Sequence, residues 1–317
     1  MQKVKRFLLF CFVIPLLVAS CAKDKIETGN YQTEHVIIIV IDGARYSETW
    51  GDNTHQYIPK LANELAQTGV INTHFYNNGT TSTVPGHTAM TTGRYENIDN
   101  VGAELPQYPS IFQYWRSKFN KDPNKSWVIA SKGKLEVLSD CANPDWNGKY
   151  NPLTNCGIHA LGAGSGYRHD SITYKKAISI LSSYHPDLAI ITFREPDYSA
   201  HTNSWLNYTQ GIQSTDYYLY QLISFIESDP VYAGKTTVFV TNDHGRHLNS
   251  VSSGFISHGD ECEGCRHINF FAYGPDFKQD TIISSQRELI DIPATIAELL
   301  HFHMPYGNGK VMYELFE

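Results

Sequence analysis

Val36-Ile-Ile-Ile-Val-Ile41 runs straight into Asp42-Gly43. Six consecutive β-branched residues leave the segment no polar face, which is how a strand covered on both sides reads. Such a strand belongs in the interior of a parallel sheet flanked by helices. Outward from it, Trp127 to Ala130, Leu188 to Phe193 and Thr236 to Thr241 are further short apolar runs. Helical patterns lie between them. Tyr57 to Gln67 carries Ile58, Leu61 and Leu65 at helical spacing and stops at Gly69. Ser171 to Ser182 and Trp205 to Ile226 are longer, and Asp291 to Leu300 starts with Asp291 as N-cap and Pro293 in its first turn. This alternation predicts an α/β protein, a three-layer α/β/α sandwich on a mostly parallel sheet.

Three of the apolar runs end alike. The first delivers Asp42-Gly43, the run from Leu188 leads into Arg194-Glu195-Pro196-Asp197, and that ending at Thr241 leads into Asn242-Asp243-His244-Gly245. Ligands of open α/β sheets bind at the carboxyl ends of the strands. Three carboxylates brought to that edge would repel one another unless a cation sat among them. Imidazoles accompany them: Asp197-Tyr-Ser-Ala-His201 spaces a carboxylate and a histidine four residues apart, His244 follows Asp243, and His258-Gly259 lies in a polar stretch beyond. Mixed carboxylate and imidazole donors suit zinc best, with manganese or iron as alternatives.

Between these runs stands Gly79-Thr80-Thr81-Ser82-Thr83-Val84-Pro85-Gly86-His87, ahead of a helical Thr88 to Thr92. Hydroxyl, then Pro, then helix reads as a cap. A hydroxyl at a helix start beside a metal is also a candidate nucleophile, with backbone N–H groups nearby to hold a phosphate.

In this order (Asp-Gly after a strand, Thr-x-Pro-Gly-His, Glu-Pro-Asp-x-x-x-His, Asp-His-Gly, a later His-Gly and an Asp-Ile-x-x-Thr-Ile helix) the chain resembles the alkaline phosphatase superfamily, in its nucleotide pyrophosphatase/phosphodiesterase and single-domain phosphatase branches. The likeness spans residue 36 to about 305. It implies two zinc ions, one on Asp197, His201 and His258 and the other on Asp42, Asp243 and His244, with the Thr83 oxygen as the ligand shared with the substrate. Thr83 is favoured over Thr81 and Ser82 because it stands four residues before His87, as in the family motif. His87 itself reads as a structural residue. The implied reaction is in-line attack of Thr83 on phosphorus, giving a phosphothreonine that water then hydrolyses between the two ions.

The chain departs from the pattern in two places. Where relatives carry Gly-Asn after the nucleophile helix, it reads Tyr95-Glu-Asn-Ile-Asp-Asn-Val, so Asn100 is the candidate phosphate donor. Where monoesterases carry Lys-x-Arg, it reads Lys132-Gly133-Lys134. As substrate-binding cations, Lys132 and Lys134 would favour a monoester dianion, against the alternative of two solvated loop lysines. A sulfatase of the usual kind needs a Cys or Ser in a Cys/Ser-x-Pro-x-Arg setting, and here Thr83 and His87 hold those positions. The reading is thus a phosphomonoesterase or phosphodiesterase on a small-molecule ester. Its alternatives are a phospho-substituent transferase or sulfatase-like enzyme on envelope or extracellular glycans, and a non-catalytic lipoprotein that binds a phosphorylated ligand.

Residues 1–20 read as a signal peptide, with Lys3, Lys5 and Arg6 ahead of apolar Phe7 to Val18. Val18-Ala19-Ser20-Cys21 resembles a bacterial lipobox, which implies lipidation at Cys21, a tether over 21–33 and a catalytic domain over 34–317 anchored in the cell envelope. Without that segment the chain has 22 basic against 32 acidic residues, a net −10 that disfavours nucleic-acid partners. A Gly-, Asn- and Pro-rich segment near 139–168 reads as an insertion at the mouth of the site or as a plain surface loop. In an oxidising compartment, Cys141–Cys156 and Cys262–Cys265 are the expected disulfides; the lesser alternative is a structural zinc site formed by the four together, for which the ligand spacing of Cys262-Glu-Gly-Cys265 is a weak signal.

Overall fold

The computed structural model describes residues 29–317, so the signal peptide, the lipobox with Cys21 and most of the tether lie outside the described residues. The strands are β1 (His35–Asp42), β2 (Val70–Asn72), β3 (Phe75–Tyr76), β4 (Ser126–Ala130), β5 (Leu153–Cys156), β6 (Leu188–Pro196), β7 (Thr236–Thr241), β8 (His267–Ile268), β9 (Phe270–Tyr273), β10 (Thr281–Ile283) and β11 (Arg287–Glu288). The helices are α1 (Thr83–Thr92), α2 (Ile111–Phe119), α3 (Asp170–Tyr184), α4 (Asp197–Ala200), α5 (Trp205–Ser228), α6 (Glu263–Arg266) and α7 (Asp291–Leu299). Eight strands form one sheet in the order β10-β2-β9-β7-β1-β6-β4-β5, and β11-β3-β8 form a small second one. β9 runs antiparallel to both β7 and β2, while the other pairs of the large sheet are parallel. The expected sandwich is what forms.

β1 shows how the sequence makes three layers. Val36, Ile38 and Val40 point into one core, where Val84 and Met90 of α1, Phe112 of α2 and Ile296 of α7 meet them. Ile37, Ile39 and Ile41 point into the other, against Ala177 of α3 and Ile212 and Leu219 of α5. All six are essentially inaccessible, each contributing about 1.5–3 kcal/mol of burial. An all-apolar strand is therefore satisfied only here, between two helical layers.

Two local expectations change. The stretch from Tyr57 is a π-helical turn over Leu61–Leu65 followed by a 3-10 turn over Ala66–Thr68, not a regular α-helix. Asp216 of α5 fixes its start by accepting the N–H groups of Lys60 (2.7 Å) and Leu61 (2.8 Å). Its end is set by Gly69, where a Cβ would sit 2.3 Å from the Ala272 carbonyl oxygen, so the chain tightens to reach the sheet. Asp291 is the first residue of α7, not its cap, and its carboxylate accepts the Lys310 N–H at 2.7 Å.

Part of the segment near 139–168 is β5, the edge strand pairing with β4, and Tyr167 beyond it bridges back to Lys132. The two expected disulfides are absent: Cys141, Cys156, Cys262 and Cys265 are free thiols. The Cys156 thiol instead faces β4 and donates to the Val128 carbonyl at 3.5 Å. No helix among the described residues is long and apolar enough to cross a membrane.

Candidate metal and nucleophile site

β1 lies between β6 and β7, with Val40 opposite both Thr192 and Thr241. The carboxyl ends of these three strands therefore open at one level, and each carries an acid: Asp42 ends β1, Asp197 follows β6, Asp243 follows β7. All three are buried. Gly43 has φ +68 and lies so close to Asp197 that a Cβ there would stand 3.0 Å from the Asp197 Cβ.

α1 brings the hydroxyl. Thr83 is its first residue, after Ser82 in extended conformation, and is buried. Gly86 sets the distance, since a Cβ there would be 2.4 Å from the Asp243 carbonyl oxygen. The helix start thus rests directly on the end of β7. His87 is satisfied on both ring nitrogens, Nδ1 by the Thr83 carbonyl (2.7 Å) and Nε2 by the Thr192 hydroxyl (3.0 Å), as its structural reading required.

The donor atoms fall into two groups that share His244. Asp42, Asp243 and His244 offer ligand atoms within 4.8 Å of one another, and so do Asp197, His244 and His258. The imidazoles are oriented by their outer nitrogens: His244 Nδ1 lies 2.8 Å from the Gly245 carbonyl and His258 Nδ1 lies 2.8 Å from the Thr81 carbonyl. A carbonyl can only accept, so these nitrogens each carry a proton. Burial pushes His244 down to about 3, which keeps that ring neutral. His201 is exposed, and its Nε2 lies 3.2 Å from Asp197 Oδ1, outside the tight groups.

The first group fits a cation. Among the described residues, Asp42 Oδ1, Asp243 Oδ2 and His244 Nε2 are buried without a hydrogen-bond partner. Buried polar atoms seldom go unpaired, and these three are two carboxylate oxygens and a ring nitrogen, all donors to a divalent ion. Burial raises the Asp42 carboxyl well above its ordinary range, Asp243 adds to the push and Lys132 opposes it. A divalent ion would oppose it further.

The second group is occupied by the protein's own charges. Lys132 Nζ lies 2.6 Å from Asp197 Oδ2, 2.8 Å from Asp42 Oδ2 and 3.2 Å from the Thr83 hydroxyl. Burial disfavours its charge, but Asp197, Asp42 and Asp243 outweigh that and hold it protonated. Arg246, fully buried, pairs with Asp197 Oδ1 and donates to the Ile256 carbonyl at 2.6 Å. Burial pushes the Asp197 carboxyl up, yet Lys132, His201, His258 and Arg246 together hold it well below the usual range. An ion on Asp197, His244 and His258 would compete with Lys132 and Arg246 for the Asp197 carboxylate.

Lys132 is therefore not a lysine that merely lines the substrate cavity, as its place in Lys-Gly-Lys suggested; its charge is engaged by two carboxylates. Lys134 is buried too, its Nζ on the Asn100 carbonyl (2.9 Å) and Oδ1 (3.1 Å). Asn100 Oδ1 also accepts the Val84 N–H at 2.9 Å, so the N–H nearest the nucleophile is taken by a side chain. Arg246 was missed in the sequence. Its signal was its position directly after Asp243-His244-Gly245, but a lone arginine in a loop reads as solvated until its burial is known.

Thr83, Asn100, Lys132, Lys134, Asp197, His201 and His258 line one cavity of 380 Å³, with Tyr167 and Tyr198 on its walls. The cavity thus reaches the Thr83 side chain.

The profile of the Sulfatase family matches residues 34–302. A search of curated proteins finds no match. Among solved structures, the phosphonate monoester hydrolase of Agrobacterium radiobacter is similar with a TM-score of 0.65 at 13% identity, over 89% of this chain and 77% of that one. A murine ectonucleotide pyrophosphatase/phosphodiesterase 5 gives 0.65 at 14% identity, over 89% and 100%. A 2-O GAG sulfatase gives 0.66 at 14%, over 88% and 73%. At such identities these likenesses concern the fold.

Proposed function

Because this chain belongs to the Sulfatase family, within the alkaline phosphatase superfamily, and carries a threonine at the nucleophile position, we propose that it is a metal-dependent hydrolase of phosphate esters acting through Thr83. The observation that carries the reading is the setting of that hydroxyl: at the start of α1, 3.2 Å from a buried ammonium that also pairs with Asp42 and Asp197. An unmodified threonine is a nucleophile for phosphorus. It lacks the Cys or Ser that the sulfatase motif converts, which puts sulfate esters second. The murine neighbour points the same way, since its threonine-to-alanine variant is inactive and was solved in complex with AMP.

Asp42, Asp243 and His244 would hold one divalent ion, which supplies the Lewis-acid charge that lets a threonine hydroxyl ionise near neutral pH. Zinc suits that donor set, with manganese or iron as alternatives. Lys132 holds the Thr83 oxygen by donating to it and stabilises its anionic form. Thr83 Oγ1 attacks phosphorus, the new P–O bond forms as the bond to the leaving oxygen breaks, and that oxygen departs with a proton from water. Water then attacks the phosphothreonine, releases phosphate and restores the hydroxyl. Lys134 and the amide NH2 of Asn100, whose Oδ1 is already committed, present donors to the phosphate oxygens. Asp197, with His201 and His258, holds Lys132 and Arg246 in place, and a second ion there would have to displace them.

The test is hydrolysis of p-nitrophenyl phosphate, bis-p-nitrophenyl phosphate and p-nitrophenyl sulfate by the zinc-loaded protein and its Thr83→Ala variant. Phosphate-ester turnover that falls at least about a thousandfold in Thr83→Ala supports the proposal. Turnover of the sulfate alone, or an active Thr83→Ala variant, removes it. We further propose that Cys21 is lipidated and anchors the protein in a bacterial envelope; loss of membrane association in Cys21→Ala checks this.

A further inference from the structure

The loop that leaves β7 ends only at β8 of the small sheet, and it has no core of its own. From Leu248 to Glu263 no apolar side chain is fully buried, and Asn249 to Ser253 are exposed. Yet this loop presents His258 to the site, and its Asp260 carbonyl accepts the Thr81 hydroxyl at 2.7 Å, two residues from the nucleophile. Its apolar anchoring is confined to Phe255, which packs on Trp205 and Tyr208.

At its base stand four donors that the hydrolytic site does not use. His247, Asp260, Cys262 and Cys265 offer ligand atoms within 4.8 Å of one another. They come from both ends of the loop: His247 directly follows Arg246, while Cys262 and Cys265 bracket the start of α6. The two ends are pressed together by glycines. A Cβ on Gly245 would lie 2.0 Å from the Gly264 carbonyl oxygen, and one on Gly264 would lie 2.4 Å from the Arg246 carbonyl oxygen.

His247 is 5% exposed. Its Nδ1 is held by the Ser257 hydroxyl at 3.0 Å, so the inward nitrogen is Nε2. That nitrogen is buried without a hydrogen bond although an Asp260 oxygen lies only 3.0 Å away. The one charged partner of that buried nitrogen is thus itself a candidate ligand, on the same side as the two thiols. A tetrahedral zinc ion with bonds of 2.0–2.3 Å sets its ligand atoms about 3.3–3.8 Å apart, a small contraction or shift of what is found.

We propose that His247, Asp260, Cys262 and Cys265 form a structural zinc site, separate from the hydrolytic centre, that fastens the loop carrying His258. Two thiolates with an imidazole select zinc over the harder cations that carboxylates alone would take. A closed four-protein-ligand site leaves no open position for substrate. It converts metal binding into stability of a segment with no apolar core. The alternative for these cysteines is a Cys262–Cys265 disulfide, which would leave the buried His247 nitrogen with Asp260 as its one charged partner.

The experiment loads the full chain with Co2+ and records the near-ultraviolet thiolate-to-cobalt charge-transfer band. The hydrolytic donors are oxygen and nitrogen, so the band reports this site whether or not the catalytic ion binds. The wild-type chain is expected to show the band, Asp243→Asn to keep it, and Cys262→Ser, at a partly exposed position, to reduce it to about half as one of two thiolates is lost. Absence of the band in the reduced wild-type chain, a band that survives Cys262→Ser at full strength, or a Cys262–Cys265 disulfide in the purified protein overturns the proposal.

Discussion

Lys132 reaches the Thr83 hydroxyl at 3.2 Å from a position between two buried carboxylates. A cation at this point does what a second metal ion would do for the nucleophile. It also blocks that ion: Asp42 and Asp197 each already have a partner. Lys132→Met is therefore expected to bind one more equivalent of zinc than the wild-type chain, as measured by atomic emission on protein dialysed against limiting zinc. Without zinc the same variant leaves the two carboxylates facing each other and should lose about 3–5 kcal/mol of stability, read from denaturant unfolding. Equal metal content in the two chains would show that Lys132 and the second ion do not compete.

Gly86 has a different task. Its Cα approaches β7 so closely that a methyl group would overlap the Asp243 carbonyl. Gly86→Ala must push α1 outward, and Thr83 with it. A displacement of about 1 Å at a reacting atom costs on the order of a hundredfold in rate. The expected result is a hundredfold lower kcat with a smaller change in KM, because Lys134 keeps its place while Asn100 is tied to α1 only through the Val84 N–H. A fall in KM-linked binding alone would place the phosphate on α1 itself.

Much of this was legible in the sequence, for one reason: the buried strands are nearly pure β-branched runs, so their ends, and the acids on those ends, could be read directly. The sandwich, β1, β4, β6 and β7 and the helices α3 and α5 lie where periodicity placed them. What failed depended on burial and partners. Lys132 in Ser131-Lys132-Gly133 reads as a cation for the substrate or as a solvated loop lysine; only the contacts with Asp42 and Asp197 show that two carboxylates engage its charge. Arg246 was invisible for the same reason. Cys141 and Cys156 looked paired because sequence spacing cannot show that one thiol faces the Val128 carbonyl across the sheet. The irregular turn at Leu61–Leu65 has a helical apolar period, and the close approach at Gly69 overrides it.

Tyr198 follows Asp197 on α4, lines the cavity and is 45% exposed, with the Arg194 guanidinium 3.9 Å above its ring. A half-exposed aromatic wall, backed by a cation, suits a flat leaving group. Tyr198→Ala is expected to raise KM for an aryl or nucleotide ester about tenfold, at about 1.4 kcal/mol for a lost stacking partner, and to leave KM for a small alkyl phosphate within about twofold. Parallel rises for both substrates would assign the tyrosine to packing.

The pH dependence of binding rests on Lys134. Burial, and then the charge of Lys132, bring its ammonium down to about 8 from the ordinary lysine value. Below that pH it is a cation held by Asn100 at the cavity wall; above it, a neutral amine. A lysine with a lowered value loses its charge on the alkaline side, so affinity for an anionic ester must fall as pH rises through 8. The loss should reach about tenfold in KM, the worth of one charged hydrogen bond of about 1.5 kcal/mol. kcat is governed by the ionisation of Thr83 and need not follow. Lys134→Arg keeps its charge throughout this range, so its KM should stay flat between pH 7 and 9 while the wild-type value climbs. If both climb together, the titrating group is elsewhere, and Lys134 holds Asn100 against the start of α1 without meeting the phosphate.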